Sequence, residues 1–130
     1  MNYQEPITVV FQITSTDIAC GIVQDGRQCP AARAITVALG NLGYERFRVE
    51  VHGSYVYLLL LDNGAEKSKS YYASLPLPLQ RFVLLFDLQG QDPDMLLEIV
   101  HHPFTLVFLP AVRKVSEDRE TGDITTPTVD

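Results

Sequence analysis

The sequence predicts an α+β domain with one mostly antiparallel sheet of about five strands and two main helices packed on one of its faces. Three observations predict this class. Short apolar segments, alternating or continuous, recur along the chain as in strands. Two longer segments carry apolar residues at helical spacing. Short turns connect neighbouring strands in the middle of the chain, as in hairpins. The expected order is therefore β-α-β-β-β-α-β.

The N-terminal part predicts a strand, a short helical turn and the first main helix. The strand runs from Ile7 to Thr14, with alternate apolar residues on one face. The residues from Ser15 to Asp17 offer oxygens that cap the turn, and Gly21 ends it. After a polar loop around Asp25-Gly26, Pro30 begins the helix, because its missing N–H costs nothing at the first position. Alanines on the apolar side of this helix indicate close packing on a sheet.

The middle of the chain predicts three strands. Phe47 to Val51 and Tyr55 to Leu61 are joined by a turn at Gly53-Ser54. Because the second of these is apolar without interruption, we expect a central strand covered on both faces. The segment from Lys67 to Tyr72 is expected to be an edge strand, since its lysines discourage pairing with other chains.

The C-terminal part predicts the second main helix, a shorter helical piece and the last strand. Gly90 is expected to stop the second helix. The helical piece from Met95 to Val100 is capped by Asp92-Pro93-Asp94, with both carboxylates as capping groups, and the last strand runs from Phe104 to Leu109. The amphipathic stripe of the second helix consists of Leu79, Phe82, Val83 and Phe86.

Length and composition limit the class of protein. The 130 residues are 46% hydrophobic and carry a formal net charge of −6, as expected for one globular domain, residues 1–110, followed by a polar, flexible tail, residues 111–130. Scattered basic residues give no electrostatic basis for direct nucleic-acid binding. No apolar run approaches the ~20 residues of a membrane span. Without a signal peptide, the expected location is the cytoplasm, where thiols stay reduced.

One pattern in the N-terminal half is distinctive: Asp17-Ile18-x-x-Gly21, then Cys29-Pro30-x-Ala32-x-Ala34-Ile35. Together with Leu75-Pro76, the segment from Phe82 to Asp87 and the strand after Pro103, it resembles a family of small uncharacterised proteins encoded by bacteriophages and by bacteria and their mobile elements. The resemblance covers roughly residues 7 to 109, and the chain departs from it around residues 88–102 and in the polar tail. It implies a fold and a phage or mobile-element origin, and it carries over no catalytic residue.

The residues suited to catalysis or metal binding do not form a recognisable set. Cys20 and Cys29 are separated by eight residues, which is not the spacing of a zinc site, and the adjacent His101 and His102 do not converge easily on one ion. Cys29 at a helix start is a candidate nucleophile, but it needs a base, such as His52 or His101, brought close by the fold. We therefore expect no enzymatic activity, no metal and no cofactor, with Cys29 buried and Cys20 packed beneath the turn.

Two groups of residues are candidates for binding. Tyrosine is enriched at interfaces, and the alternative for the aromatic group is that it simply covers the sheet. The candidate interface residues are Tyr55, Tyr57, Tyr71 and Tyr72. The candidate contacts for an anionic ligand, held at the start of the first main helix or in a dimer cleft, are Arg27, Arg33, Arg46 and Arg48.

The sequence and the resemblance together predict a non-catalytic binding protein. It is expected to be a phage or mobile-element accessory factor that modulates or blocks a host protein complex, with anti-defence activity as one form of this role. The acidic charge suits a partner with a basic surface, and homodimerisation through a strand edge or the tyrosines is compatible with it. The alternative is a protein that sequesters a small anionic ligand such as a nucleotide signal.

Overall fold

The computed structural model describes residues 5–61, 68–88 and 91–111, and it confirms the α+β class. Five antiparallel strands form a single sheet. The structure contains the two predicted main helices and two shorter helices. In chain order the elements are β1 (Ile7–Phe11), α1 (Ser15–Cys20), α2 (Pro30–Asn41), β2 (Phe47–Val51), β3 (Tyr55–Leu60), β4 (Lys69–Ser74), α3 (Leu77–Asp87), α4 (Pro93–Ile99) and β5 (Phe104–Pro110).

The strand order is β1-β5-β4-β3-β2, so β1 and β2 are the edges of the sheet. The prediction of an edge strand at Lys67 to Tyr72 is therefore wrong: β4 lies in the centre, with Tyr72 opposite Leu109 of β5 on one side and Tyr57 of β3 on the other. Lysine near a strand favours an edge position, but β5 comes from the far end of the chain to pair with β4. Lys67 itself lies outside the described residues.

The third strand is covered on one face only, contrary to the expectation of cover on both. Val56 and Leu58 are fully buried, whereas Tyr57 and Leu59 are half-buried and Tyr55 is exposed. The apolar run does not alternate in its sequence, but its burial alternates because the described helices lie on one side of the sheet. Covering both faces would have required further helices.

The start of α1 is capped one residue earlier than predicted. Thr14 Oγ1 accepts a hydrogen bond from the Asp17 N–H (3.2 Å), and the Asp17 carboxylate accepts one from the Thr14 N–H (3.0 Å), which is a capping box. Asp17 therefore caps as expected, while Ser15 and Thr16 are helical residues. Gly21 ends α1 and Pro30 begins α2, both as predicted, and Cys29 is the N-cap of α2.

The core lies between the inner face of the sheet and the helices. The sheet curls around α2, which contacts both edge strands, β1 and β2. The fully buried side chains that α2 contributes are Pro30, Ala31, Ala32, Ile35 and Leu39, and those of α3 are Leu79 and Phe82. Small alanine side chains allow the helix axis to approach the sheet closely, in agreement with the sequence-based expectation.

The last predicted elements are present in the described part of the chain. Asp92 caps α4 by accepting a hydrogen bond from the Asp94 N–H (3.2 Å), whereas Asp94 is itself a helical residue of the first turn. Strand β5 follows Pro103 as expected. The predicted stop at Gly90 and the predicted tail beyond residue 111 lie outside the described residues. Within the described ranges, no helix is long and apolar enough to cross a membrane.

Replacing Gly26 by alanine is expected to destabilise the fold by about 1–3 kcal/mol. A Cβ at this position would lie 2.5 Å from the Val51 carbonyl oxygen, so the loop would have to move and would weaken its hydrogen bond to β2. Urea unfolding measures the change. Gly40→Ala is the matched control, because nothing lies within 4 Å of its Cβ position in α2. This substitution should raise the free energy of unfolding by about 0.5–1 kcal/mol. Equal effects of the two substitutions would contradict a close contact between Gly26 and Val51.

Candidate functional site

The face of the sheet away from the helices carries large side chains that no described element covers, and we name it the open face. Its exposed large apolar and aromatic residues come from four strands and are Val10 (59% exposed), Tyr55 (39%), Tyr72 (45%), Val107 (47%) and Leu109 (55%). Each alternates with buried residues along its strand. Exposed apolar side chains concentrated on one surface mark an interaction site more often than the same residues scattered singly.

The strand register makes these residues neighbours. Tyr72 of β4 lies directly opposite Tyr57 of β3 and Leu109 of β5, and Val10 of β1 lies opposite Thr105. Side chains opposite each other on one face of an antiparallel pair have Cβ atoms about 4.5–5.5 Å apart. The open face is therefore a continuous surface across the sheet.

Aromatic rings order the β3–β4 part of the open face. The ring centroids of Tyr57 and Tyr72 are 5.1 Å apart, and those of Tyr55 and Tyr72 are 5.7 Å apart. His52 stacks on Tyr55 at 4.6 Å. The Tyr57 hydroxyl is within hydrogen-bonding distance of Ser70 Oγ (3.0 Å). Rings held against each other in this way lose little further conformational entropy when a partner binds.

Tyr71, the fourth predicted interface tyrosine, does not belong to this surface. It is 4% exposed and packs in the core, because its side chain points to the opposite face of β4 from that of Tyr72. The prediction from sequence treats both tyrosines as interface residues without separating the two faces of the strand.

The open face is almost free of charge. Among the described strand residues that point to it, the charged ones are Arg48 and Glu50, both on the edge strand β2. Glu50 Oε1 lies 3.6 Å from His52 Nε2. A shallow depression of about 450 Å³ lies on its apolar part, lined among others by Tyr72, Val107 and Leu109.

A second feature is a cleft of about 780 Å³, here named the α3 cleft, between the loop at Gln24–Gly26, the β2–β3 turn and α3. The Gln24 N–H donates a hydrogen bond to Asp87 Oδ1 (2.8 Å), and the Val51 N–H donates one to the Gly26 carbonyl (2.7 Å). These bonds hold the loop between α3 and the edge of β2. The cleft wall is mainly apolar, with Asp25, Arg81 and Asp87 as its charged residues.

Cys29 and His52 both line the α3 cleft, but the arrangement does not activate the thiol. Burial raises the pKa of Cys29, and the nearby Asp87 and Asp25 raise it further, against backbone hydrogen bonds that lower it. No hydrogen bond joins Cys29 to His52 among the described residues. A nucleophilic cysteine needs the thiolate form, which this environment disfavours.

The remaining cysteine and histidines are dispersed. Cys20 is exposed, so the expectation that it packs beneath the turn is wrong: it is the last residue of α1 and its side chain points outward. His101 is exposed, and the His102 ring lies 4.5 Å from that of Phe104. Within the described ranges, no three His, Cys, Asp or Glu side chains are grouped as metal ligands.

The four candidate arginines do not meet at the start of α2. Arg27 and Arg48 line a polar depression of about 530 Å³ beside the β2 edge, together with Asp25 and Gln28. Arg33 instead approaches the buried carboxylate of Asp17, with Nε 3.5 Å from Oδ1. Arg46 is exposed just before β2. The largest grouping of these four arginines is therefore a pair, and it shares its depression with a carboxylate.

Sequence reasoning detects only part of these features. Alternation along a strand indicates which tyrosines point outward. The open face is not predicted, because the apolar run of β3 leads to the expectation that both faces of this strand are covered. The α3 cleft depends on the contact between Gln24 and Asp87, which are 63 residues apart. No local sequence pattern predicts such a contact.

Comparison with models of known protein families, with curated proteins and with solved structures finds no significant match. The resemblance to phage and mobile-element proteins therefore stays a prediction from sequence motifs. A functional proposal for this chain rests on the geometry of its described residues.

The two cysteines are expected to differ strongly in reactivity. In the Cys29→Ser variant, the exposed Cys20 should react with a thiol reagent at pH 8 within minutes. In the Cys20→Ser variant, Cys29 should react only at the rate of unfolding, because burial raises its pKa and blocks access. Absorbance assays with and without denaturant measure both rates. Rapid labelling of native Cys29 would show that the thiol is accessible and ionised.

Proposed function

We propose that this chain is a non-catalytic binding protein whose open face docks onto another protein. The observation that carries the proposal is the continuous exposed surface formed by Val10, Tyr55, Tyr72, Val107 and Leu109. Protein interfaces have a core depleted in charge and enriched in aromatic residues, with charged residues at the rim. The open face has this composition, with Arg48 and Glu50 at its β2 side.

The shape and charge of the open face favour a protein over the other classes of partner. Single-stranded nucleic acid also stacks on exposed aromatic rings, but it needs a basic groove to follow its backbone, and this chain carries a net charge of −6. A small molecule is normally enclosed by a concave pocket, whereas the depression on this face is shallow. A protein surface with apolar groups and a basic rim fits both the face and the net charge.

The biological setting of the proposal comes from the sequence resemblance. A phage or mobile-element accessory factor acts in the host cytoplasm by occupying a surface of a host complex. Such a role needs surface complementarity and no catalytic groups, and burial raises the pKa of the Cys29 thiol, which disfavours its nucleophilic form. An anti-defence protein is one case of this role.

The alternative, sequestering of a small anionic ligand, has one supporting observation. Arg27 and Arg48 line the same polar depression, and two guanidinium groups are suited to phosphate. Asp25 lies in that depression and its Oδ1 accepts a hydrogen bond from the Arg27 N–H (3.0 Å). This carboxylate would repel an anion, so the open face is the stronger site.

Substituting Tyr72→Ser is expected to weaken partner binding by about 30-fold or more, the ~2 kcal/mol typical of an interface hot spot. The partner is captured from a bacterial extract with the wild-type protein, identified by mass spectrometry and purified. Its dissociation constant is then measured by titration calorimetry, after circular dichroism has shown that the variant is folded.

Leu84→Ser is the matched control, since Leu84 is an exposed apolar residue on α3 (63% exposed), away from the open face. Its affinity should equal that of the wild type. Equal losses in both variants would point to non-specific adhesion and contradict the proposal. Native mass spectrometry separates the alternative: a co-purifying small anion that disappears with Arg27→Ala and Arg48→Ala would favour sequestering.

A further inference from the structure

The two edges of the sheet are protected to different degrees. In the β1–β5–β4 part of the sheet, the Ala111 N–H bonds to the Ser70 carbonyl. Hydrogen-bonded and non-bonded residue pairs alternate in antiparallel ladders. This bond and the strand register therefore determine, for each residue of β1, whether its N–H and C=O groups point toward β5 or away from it. The N–H and C=O groups of Thr8 and Val10 point away from β5, toward the free edge of β1.

The β2 edge carries the features by which proteins block unwanted strand pairing. Arg48 and Glu50 place charges on it, and the Gly26 carbonyl already occupies the outward N–H of Val51 (2.7 Å). The β1 strand differs in composition. Its sequence, Ile-Thr-Val-Val-Phe, contains no charge and no proline, and such an edge is a template for pairing with another strand.

An apolar groove runs along the β1 edge. It has a volume of about 540 Å³ and lies between Thr8 and Val10 on the strand side and Val37 and Leu42 on the α2 side. Val37 is 61% exposed and Leu42 is 56% exposed. An added strand could therefore gain backbone hydrogen bonds from β1 and apolar contacts from α2 at the same time.

The charge distribution around the groove favours a second copy of this chain as its occupant. Each chain carries a net charge of −6, which repels other copies wherever carboxylates face each other. Among the described residues that line the β1 groove, the charged one is the buried Asp17, and Arg33 lies 3.5 Å from its carboxylate. A basic partner would find no free carboxylate in this described lining, whereas a second copy meets a neutral, apolar surface like its own.

We propose that β1 pairs with β1 of a second copy, antiparallel about a two-fold axis at Val9. In this register, Thr8 lies opposite Val10 of the partner subunit, and Val10 lies opposite Thr8 of the partner subunit. Each of these pairs exchanges N–H···O=C bonds in both directions, because the groups involved are those that point to the free edge. The interface is isologous, as in most homodimers.

This dimer has a consequence for the proposed function. A two-fold axis perpendicular to the sheet joins the two sheets into one and keeps the helices of both copies on the same side. The two open faces then lie side by side and form one extended surface. A partner with repeated sites would bind it with avidity. The dimer itself rests on the β1 edge and is independent of the open-face proposal.

Analytical ultracentrifugation of the wild-type chain is expected to show a species of twice the 14.5 kDa of one chain. Amide hydrogen exchange followed by NMR should show protection of the Thr8 and Val10 N–H groups in this species. Thr8→Pro should yield a monomer, because it removes the outward N–H without removing a bond to β5. Thr8→Val, which keeps the N–H, should remain dimeric.

Val37→Glu gives a second test that leaves β1 unchanged. It should also yield a monomer by placing two carboxylates in the groove region, whereas Thr36→Glu, on another side of α2 beside the β2 depression, should remain dimeric. A wild-type monomer at every concentration would overturn the proposal. So would a dimer that survives Thr8→Pro and Val37→Glu but is lost in Tyr72→Ser, which would assign self-association to the open face.

Discussion

Helix α2 lies against the inner face of the sheet, and two of its alanine side chains, Ala31 and Ala32, have no exposed surface. Because the side chains are small, the helix comes close enough for the sheet to curl around it, and α2 touches both edge strands. Close packing of this kind tolerates little change in volume. The loops that lead into α2 obey the same constraint, since a Cβ on Gly21 would lie 2.6 Å from the Pro30 ring.

A core built on one side of the sheet leaves the other side without a described helix, and this explains the open face. The strands still need apolar and aromatic residues to form a stable sheet, so Tyr55, Tyr72 and Val107 remain in solvent. Among the described residues, neither a basic groove nor an activated nucleophile lies beside this surface. Contact with another protein is therefore the function that we propose for this surface.

The curl around α2 also sets the difference between the two edges. At β2, the loop around Gly26 closes on the strand and forms the wall of the α3 cleft. At β1, the chain leaves the strand toward α1, and the groove beside α2 stays open. The uncharged edge therefore lies where Val37 of α2 and Leu42, the C-cap of α2, are exposed. The same helix that organises the core thus contributes to a surface suited to self-association.

Periodicity and backbone chemistry within a few residues are enough to specify the local elements: the alternation of β1, the start of α2 at Pro30, the stripe of α3 and the cap of α4 at Asp92. The central position of β4, the cover of β3 on one face and the burial of Tyr71 beside an exposed Tyr72 come instead from the folded chain. Strand order and the number of covered faces depend on pairings between distant segments, which no local pattern contains. Alternation separates the two faces of a strand, but it does not show which of them a helix covers.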